Sequence, residues 1–484
     1  MSTLVDALLG QAGATALSGP WGSLSRESLA RATDELAGTL ARERVRVLAT
    51  LQDNGPAWVV TDLAAMRAGV VHVPLAGFQS PAQCQHILNA SGADTVLCPV
   101  PYADWSAETI PIAGDEFTLS RRKVDARVGA DVAKISFTSG STGTPKGIRL
   151  REHEMHAVAR SIAQAFEPMS IERHQGLLPL AVLLENVAGI YAPLLAGASI
   201  DIRPCASLGL RGATGFAPEQ LQQVLETNGA QSLILLPQML RAWTGWLHRQ
   251  RRRAPAALRF VAVGGAAVGA ANLQAARALG LPAFEGYGLT EGASVQTLNL
   301  PGADRPGSAG RPLPHCRMRC REDGELEIAG AIAMGAMGEP AADPDAWLPT
   351  GDLGTIDEQG FVWIDGRKKN LFITGYGRNV SPEWIESMLE SLPTIARAIV
   401  FGEGLIAPVA VIWTADPALP DEAIEDAIAE VNEMLPDYAR VGAWERARHP
   451  FDEGSGMATA NGRPRRDAIA AAHRRLAGTG RAAS

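Results

Sequence analysis

The stretch "VAKISFTSGSTGTPKG" (residues 132–147) decides how this chain is read. Its beginning, Val132–Phe137, alternates apolar and polar residues as a strand does. From Phe137 onward it holds three glycines, five hydroxyl side chains and one lysine in eleven residues. Gly, Ser and Thr are poor core material, so this part is expected to be a loop leaving a strand. Glycine lets backbone N–H groups approach a ligand closely, hydroxyls donate to anionic oxygens, and Lys146 neutralises charge. That combination suits a polyphosphate. It is not a Walker A loop, which requires Gly, four residues, then Gly-Lys-Ser/Thr. A flexible linker is the plain alternative, but linkers rarely follow a strand directly and rarely contain Pro-Lys-Gly.

Outward from this stretch, the 484-residue length implies two or more domains. An apolar content of 46% with 20% charged residues is ordinary for a soluble globular protein. A net charge of −8 gives no support to nucleic-acid binding. The chain has 44 Lys+Arg, yet lysine occurs only at 123, 134, 146, 368 and 369. A chain so biased toward arginine is expected to keep lysine where chemistry wants one, although GC-rich coding also favours arginine. The five cysteines are scattered and odd in number, which points to a reduced, cytoplasmic protein. "HCRMRC" brings His315, Cys316 and Cys320 close, but without a second ligand cluster a metal site is not expected. "MSTLVDALLG" lacks a basic n-region and is interrupted by Asp6, against a signal peptide. Residues 177–200, "LLPLAVLLENVAGIYAPLLAGASI", approach membrane-span length but carry Glu185, Asn186 and two prolines. They are expected to form a buried helix rather than a span.

Strand and helix alternate for about 300 residues, which predicts a layered α/β architecture. "SLARATDELAGTLAR" and "PEQLQQVLETNG" have helical spacing. "RVRVLATL", "AGVVHVPL", "ADTVLCPV", "SLILLP" and "LRFVAVGG" look like buried parallel strands. The character changes near residue 351. "GTIDEQGFVWIDG" predicts a hairpin, and "SPEWIESMLESL" a helix with Ser381 as N-cap and Pro382 at its first position. "ARAIVFG", "PVAVIWTA" and "DEAIEDAIAEVNEML" add two strands and a helix. Together they make a small α+β domain of about 110 residues. The boundary is expected near Arg367–Asn370, giving domains 1–367 and 368–484, and the tail "RRLAGTGRAAS" is expected to fray.

Other segments carry candidate chemistry. "FEGYGLTEGAS" (284–294) offers Tyr287 to stack on a base, Thr290 to donate to a phosphate and Glu291 to hold a divalent cation. Alone it is a weak signal, since Gly-rich turns with a satisfied glutamate are common. "VGGAA" (263–267) either lets backbone approach a flat ring or is simply a tight turn. "LPTGDLG" (348–354) presents Asp352 in a Gly-flanked turn, suited to ribose hydroxyls or to the turn itself. "GRKKN" (366–370) supplies Arg367 and two lysines, or a solvated charge run.

In this order and spacing, "FTSGSTGTPKG", "GYGLTEG", "PTGDLG" and "DGRKKNLFITGYGRNVSPEWIE" resemble the adenylate-forming superfamily of acyl-CoA synthetases, peptide adenylation domains and luciferases, most like fatty acyl-CoA synthetases and acyl-AMP ligases. The resemblance covers essentially the whole chain. It implies a large N-terminal α/β domain binding ATP and the acid, and a small mobile α+β C-terminal domain hinged near Lys369. It also implies a two-step reaction. A carboxylate attacks the α-phosphate of Mg-ATP to give an acyl-adenylate. A thiol, of coenzyme A or of a carrier-protein phosphopantetheine, then displaces AMP. The residues implied for ATP are Thr138, Ser139, Gly140, Ser141, Thr142, Gly143, Thr144 and Lys146 around the β- and γ-phosphates. Gly265, Ala266, Glu285, Gly286, Tyr287 and Gly288 would lie about the adenine, Thr290 at the α-phosphate and Glu291 at Mg2+. Asp352 and Arg367 would hold the ribose.

Two departures from the resemblance matter. Relatives carry a lysine after a Gly near the C-terminus, which bridges the substrate carboxylate and the nucleotide. The matching segment "MATANGRPRRDAI" (457–469) has Arg463 there, and no lysine follows Lys369. Arginine keeps the charge, but its planar fork does not superpose on a point-like ammonium. Second, "LLPLAVLLENVAG" resembles the acyl-pocket segment of fatty acyl-CoA synthetases, with Val182 in place of their histidine. No aspartate lies there to pair with an α-amino group. Leu180, Val182, Leu183 and Leu184, with Gly264, are expected to form an apolar pocket wall, or else to be core, which favours an apolar acid. The expectation is an ATP-dependent acyl ligase with no membrane span. The alternatives are an acyl-AMP ligase loading a carrier protein, and an adenylate-binding protein with impaired adenylation.

Overall fold

The computed structural model describes residues 3–10, 15–103, 105–124, 129, 131–139, 145–212, 215–375, 378–414, 416–459, 462–473 and 476. The strand–helix alternation builds two large sheets. In one, Val47–Leu51 lies parallel to Val71–Leu75 and to Thr95–Cys98, and Val71–Leu75 is parallel to Lys134–Ser139. In the other, parallel pairing runs from Ser199–Ile202 through Arg173–Gly176, Ser232–Leu235 and Phe260–Val263 to Ala283–Leu289. Every residue of Val71–Leu75 and Thr95–Cys98 is buried, as strands covered on both faces must be. Local signals set the helices between them. Arg26–Arg42 starts at Ser25, whose side chain accepts from the Ser28 N–H. Pro218–Asn228 has proline in its first turn and stops at Gly229, whose φ of 67° favours glycine.

The stretch 132–147 departs from expectation. The loop predicted after Phe137 begins later, because the strand Lys134–Ser139 continues through Thr138. It pairs antiparallel with Pro145–Leu150, Thr138 opposite Lys146 and Phe137 opposite Gly147. A β-branched threonine fits extended backbone well. Glycine at 147 is required by packing, since a Cβ there would come within 2.9 Å of the Ile135 and Phe137 side chains. Gly140, Ser141, Thr142, Gly143 and Thr144 lie outside the described residues.

Among the described residues, no helix is long and apolar enough to cross a membrane. The helix expected within 177–200 is buried, but it covers less and winds differently. Glu185–Tyr191 is a π-helix, with the Ala192 N–H bonded to Val187 O, and Ala192–Leu195 continues it as α-helix. Ahead of it the chain turns, clamped by Asn54. The Asn54 amide donates to Leu178 O at 2.9 Å, and its oxygen accepts from the Leu180 N–H at 2.8 Å.

Glu185 is wholly buried, and its Oε1 accepts from the Leu177 N–H at 3.0 Å. Burial pushes its pKa from 4.5 up to about 8, against the lowering effect of the Leu177 and Leu178 N–H groups. The folded-state pKa is raised, so the stabilisation is full below about 4.5 and is lost as pH rises toward 8. Glu185→Gln, which cannot ionise, is therefore expected to gain on the wild type with rising pH, on the order of 1 kcal/mol per pH unit between the two values. Paired thermal melts at pH 5 and pH 8 check this (pH values at about the two ends of that range). Parallel shifts would mean that Glu185 is ionised when folded.

C-terminal to this body, Leu348–Ile356 and Val362–Arg367 form the expected hairpin. The helix Pro382–Glu390, the strands Ile395–Phe401 and Val409–Thr414 and the helix Asp421–Met434 follow as predicted. They bury an apolar cluster of their own, including Ile385, Leu389, Ile412, Ile424 and Val431. Ser381 holds the N-cap position, but its hydroxyl donates to Glu383 Oε2 at 3.1 Å instead of accepting from the helix backbone. Gly366, at φ 144°, lets this helix come close, because a Cβ there would lie 2.0 Å from Ser381 Oγ. Arg241 reaches Glu390 on the same helix at 3.2 Å, tying it to the large body.

Candidate active site

Three segments far apart in sequence meet beside the end of the strand Ala283–Leu289. That strand leaves the parallel sheet and pairs antiparallel with Ser294–Leu298. The close approach depends on glycine. A Cβ on Gly264 would lie 3.0 Å from Gly286 O, and one on Gly288 would lie 1.9 Å from Ser294 O. Tyr287 is thereby aimed at the hairpin, where its hydroxyl donates to Asp352 Oδ2 at 2.6 Å. Asp352 stands opposite Arg367 in the hairpin register, and its Oδ1 meets Arg367 Nε at 2.8 Å. The Asp352 N–H donates to Thr350 Oγ1, and Arg367 Nη1 donates to Thr350 O.

Asp352 is nearly inaccessible, at 3% exposure, and this burial raises its carboxyl pKa, with Arg367 and Tyr287 opposing. Burial and the Asp352 charge push the Tyr287 phenol well above its ordinary value. Tyr287 therefore stays a donor. Asp352, held from both sides, is a rigid acceptor.

Thr290–Gly292 forms a short 3-10 turn after the strand. Gln296 pins it, its oxygen accepting from the Leu289 N–H at 2.9 Å. Thr290 and Glu291 are half-buried. The Ala333 N–H donates to Glu291 O, and among the described residues no hydrogen bond engages the Glu291 carboxylate. That free carboxylate fits a hard divalent cation.

Arg463 comes from the far end of the chain. It is presented by a tight turn in which the Thr459 N–H donates to Arg463 O at 2.7 Å and the Arg463 N–H to Thr459 Oγ1 at 3.2 Å. Its side chain retains solvent access, yet the surrounding cleft desolvates it and Arg367 repels it, so its pKa falls, with Glu291 and Asp352 pulling the other way. An arginine stays charged through such a shift. Lys369 shares the cluster. Desolvation and then Arg367 and Arg463 lower its pKa, and Glu383 and Asp352 oppose. Tyr287, Glu291, Asp352, Arg367, Lys369 and Arg463 thus form one electrostatic unit, with three cations that an anionic ligand would relieve.

Other expected site residues lie differently. Glu285 faces inward, its Oε1 accepting from the Val268 N–H at 3.0 Å. Burial raises its pKa to about 7, and through the Val268 N–H it anchors the chain just after the 263–267 turn. Gly265, at φ 88°, and Ala266 are exposed on the open side of that turn. Lys146 is exposed and bonded to Glu339 Oε1 at 3.0 Å rather than directed into this cluster. Lys368 pairs with Asp323 and Glu325, each at 2.8 Å. Leu180 and Leu183, expected in the acyl wall, are buried in the main core, which leaves half-buried Val182 and Leu184 as the more open apolar residues. A buried set went unrecognised in the sequence: Asp62, His72, Lys134, Asn186 and Tyr191. The signal was present, because Lys134 is one of only five lysines and stands at the start of a strand, where it is buried.

Comparison with known proteins gives a consistent picture. A family model described as AMP-binding enzyme matches residues 6–339, and an AMP-binding enzyme C-terminal domain matches residues 370–473. The chain is 28% identical over 415 residues to the long-chain-fatty-acid–CoA ligase FadD15 of Mycobacterium bovis, covering 72% of this chain and 69% of that protein. It is 28% identical over 396 residues to a 2-succinylbenzoate–CoA ligase of Bacillus cereus, covering 74% and 76%. The fold is shared with the o-succinylbenzoate CoA synthetase of Bacillus subtilis solved with its acyl-adenylate intermediate, at a TM-score of 0.77, 22% identity, and coverage of 96% of this chain and 97% of that one.

Proposed function

This chain belongs to the AMP-binding enzyme family, and on that premise we propose that it is an AMP-forming acid–thiol ligase that activates a carboxylic acid with ATP and passes the acyl group to coenzyme A. The observation that carries the proposal is the convergence of Tyr287 and Arg367 on the buried Asp352 carboxylate beside the Thr290–Gly292 turn, with the Arg463 charge felt by the same group. In the first half-reaction, a carboxylate oxygen attacks the α-phosphorus and the bond to the leaving pyrophosphate breaks. Arg463 would hold the carboxylate against the α-phosphate and offset the charge that accumulates between two anions. Thr290 would donate to an α-phosphate oxygen. Asp352, made a fixed acceptor by Tyr287 and Arg367, would take the ribose hydroxyls. The open face of Gly265 and Ala266, together with Tyr287, would take the adenine. Magnesium, when bound, neutralises phosphate charge, and the Glu291 carboxylate would be its protein ligand.

The residues from Thr138 to Gly147 would border the β- and γ-phosphates, with Lys146 leaving Glu339 to join them. That exchange is inexpensive, because the Lys146–Glu339 pair is exposed on both sides. In the second half-reaction, the thiol sulfur attacks the acyl carbon, AMP leaves, and the thiol proton passes to solvent. We place the domain boundary at Arg367–Asn370 and the hinge at Lys369, about which the small domain would turn between the two steps. An apolar acid is favoured by Val182 and Leu184, and the similarity to a fatty-acid ligase supports it. Five free cysteines agree with a reducing, cytoplasmic setting.

Pyrophosphate–ATP exchange across a panel of straight-chain, aromatic and amino acids tests the proposal. Exchange with apolar acids is expected. Exchange with no acid, in protein shown to bind ATP, would remove the ligase reading.

A further inference from the structure

In the large body, Asp62, His72, Lys134, Asn186 and Tyr191 are buried together, none more than 2% exposed. Lys134 Nζ lies 2.7 Å from Asp62 Oδ1 and donates to Tyr191 Oη at 3.0 Å and to Asn186 Oδ1. His72 Nδ1 meets Asp62 Oδ1 at 2.6 Å, and its Nε2 lies 2.9 Å from Thr50 Oγ1. Asp62 Oδ2 accepts from the Asn186 amide at 2.9 Å and from the Tyr191 hydroxyl. Four donors thus converge on one carboxylate. Burial alone would keep Asp62 protonated, but Lys134 and His72 hold it ionised, far below its ordinary pKa. A buried pair satisfied this completely fixes geometry as well as offsetting its own desolvation.

Two of those donors, Asn186 and Tyr191, are five residues apart on the Glu185–Tyr191 helix. In an α-helix, at about 100° per residue, they would point roughly 140° apart. With i→i+5 winding, residues five apart take the same face, and both then reach Asp62. The winding is observed directly in the bond from the Ala192 N–H to Val187 O. The helix is also held through Glu185, whose carboxyl grips the Leu177 N–H and packs on Gly189, where a Cβ would lie 2.6 Å from Glu185 Oε1. Between Leu177 and Glu185, the two ends of this second anchor, runs the 178–184 segment that carries Val182 and Leu184. Lys134 in turn begins the strand that leads to Thr138, so the cluster joins the acyl segment to the phosphate hairpin.

We infer that the Asp62–Lys134 pair, acting through Asn186 and Tyr191, is a positioning cluster that selects the π winding of residues 185–191 and so shapes the acid pocket, making these buried residues determinants of which acids are accepted. This rests on the ligase reading above. Tyr191→Phe and Asn186→Leu each remove one donor while leaving the ion pair. They are expected to change the ratio of kcat/KM between long and short acids by about tenfold or more, the scale that one or two methylenes are worth in a pocket. KM for ATP should stay within about twofold, since no nucleotide contact is altered. Amide hydrogen exchange should rise in residues 185–191 and not in the hairpin 348–367. A uniform loss for all acids, an unchanged ratio, or unchanged exchange at 185–191 would overturn the inference. Should Asn186→Leu fail to fold, the near-isosteric Tyr191→Phe decides. Wild-type protein inactive with every acid would refute the ligase reading instead, and the exchange measurement would still decide whether the cluster sets the winding.

Discussion

Arg463→Ala is expected to lower acyl-adenylate formation by about 10²- to 10³-fold, the scale seen when one charge-stabilising donor is removed from a transition state. The loss should fall on kcat for adenylation. Thioester formation from a supplied acyl-adenylate should be spared, because that step needs no charge between carboxylate and phosphate. The fold should be unaffected, since the hydrogen bonds of Arg463 that hold its turn run through its backbone. Arg463→Lys is the sharper comparison. It keeps the charge but exchanges a planar fork for a point, and so should retain adenylation within about tenfold. Rapid-quench measurement of acyl-adenylate with wild type and both variants checks this. An alanine variant that adenylates like the wild type would assign the charge stabilisation to another cation of the cluster, Arg367 or Lys369.

Asp352→Ala should produce the second-largest effect, and on binding rather than chemistry. It leaves the Tyr287 hydroxyl and the Arg367 guanidinium without their 2.6 Å and 2.8 Å partner, and it removes the acceptor proposed for the ribose. KM for ATP is expected to rise about 10- to 100-fold, the worth of hydrogen bonds to a charged group. Stability should fall by about 1–3 kcal/mol, toward the low end because Arg367 keeps 37% of its side chain in water. Nucleotide titration and thermal melts read the two effects separately. Tyr287→Phe should give a smaller version of both, and the double variant should lose less than the sum. Full additivity would show that Tyr287 does not act through Asp352.

The family and the two-domain plan were plain in the sequence because they rest on local patterns. Runs such as Thr95–Cys98 read as covered strands, and Asp352 and Arg367 stood in motifs whose spacing survives folding. What escaped depends on winding and on contacts between distant segments. No periodicity announces that Glu185–Tyr191 is π rather than α, since the cause lies more than a hundred residues away, at Asp62. Hydroxyl-rich composition suggests a loop at Thr138, whereas cross-strand pairing with Lys146 keeps it extended. For Leu180 and Leu183 the pattern allows either a pocket wall or core, and the choice of core goes with a contact that only the tertiary structure shows, the Asn54 clamp on their turn. The position after Gly462 marks Arg463 in the sequence, but the influence of Glu291 and Asp352 on it comes only with the fold.

The central claim is that a carboxylate attacks the α-phosphorus of ATP, and the fate of the carboxylate oxygen tests it most directly. The protein would be incubated with ATP, magnesium, coenzyme A and an apolar acid labelled with heavy oxygen in its carboxyl group, and the products weighed by mass spectrometry. The account predicts one heavy oxygen in AMP, none in pyrophosphate, and an acyl thioester retaining the other. Label in inorganic phosphate, with ADP as the nucleotide product, would place the attack at the γ-phosphorus and contradict it.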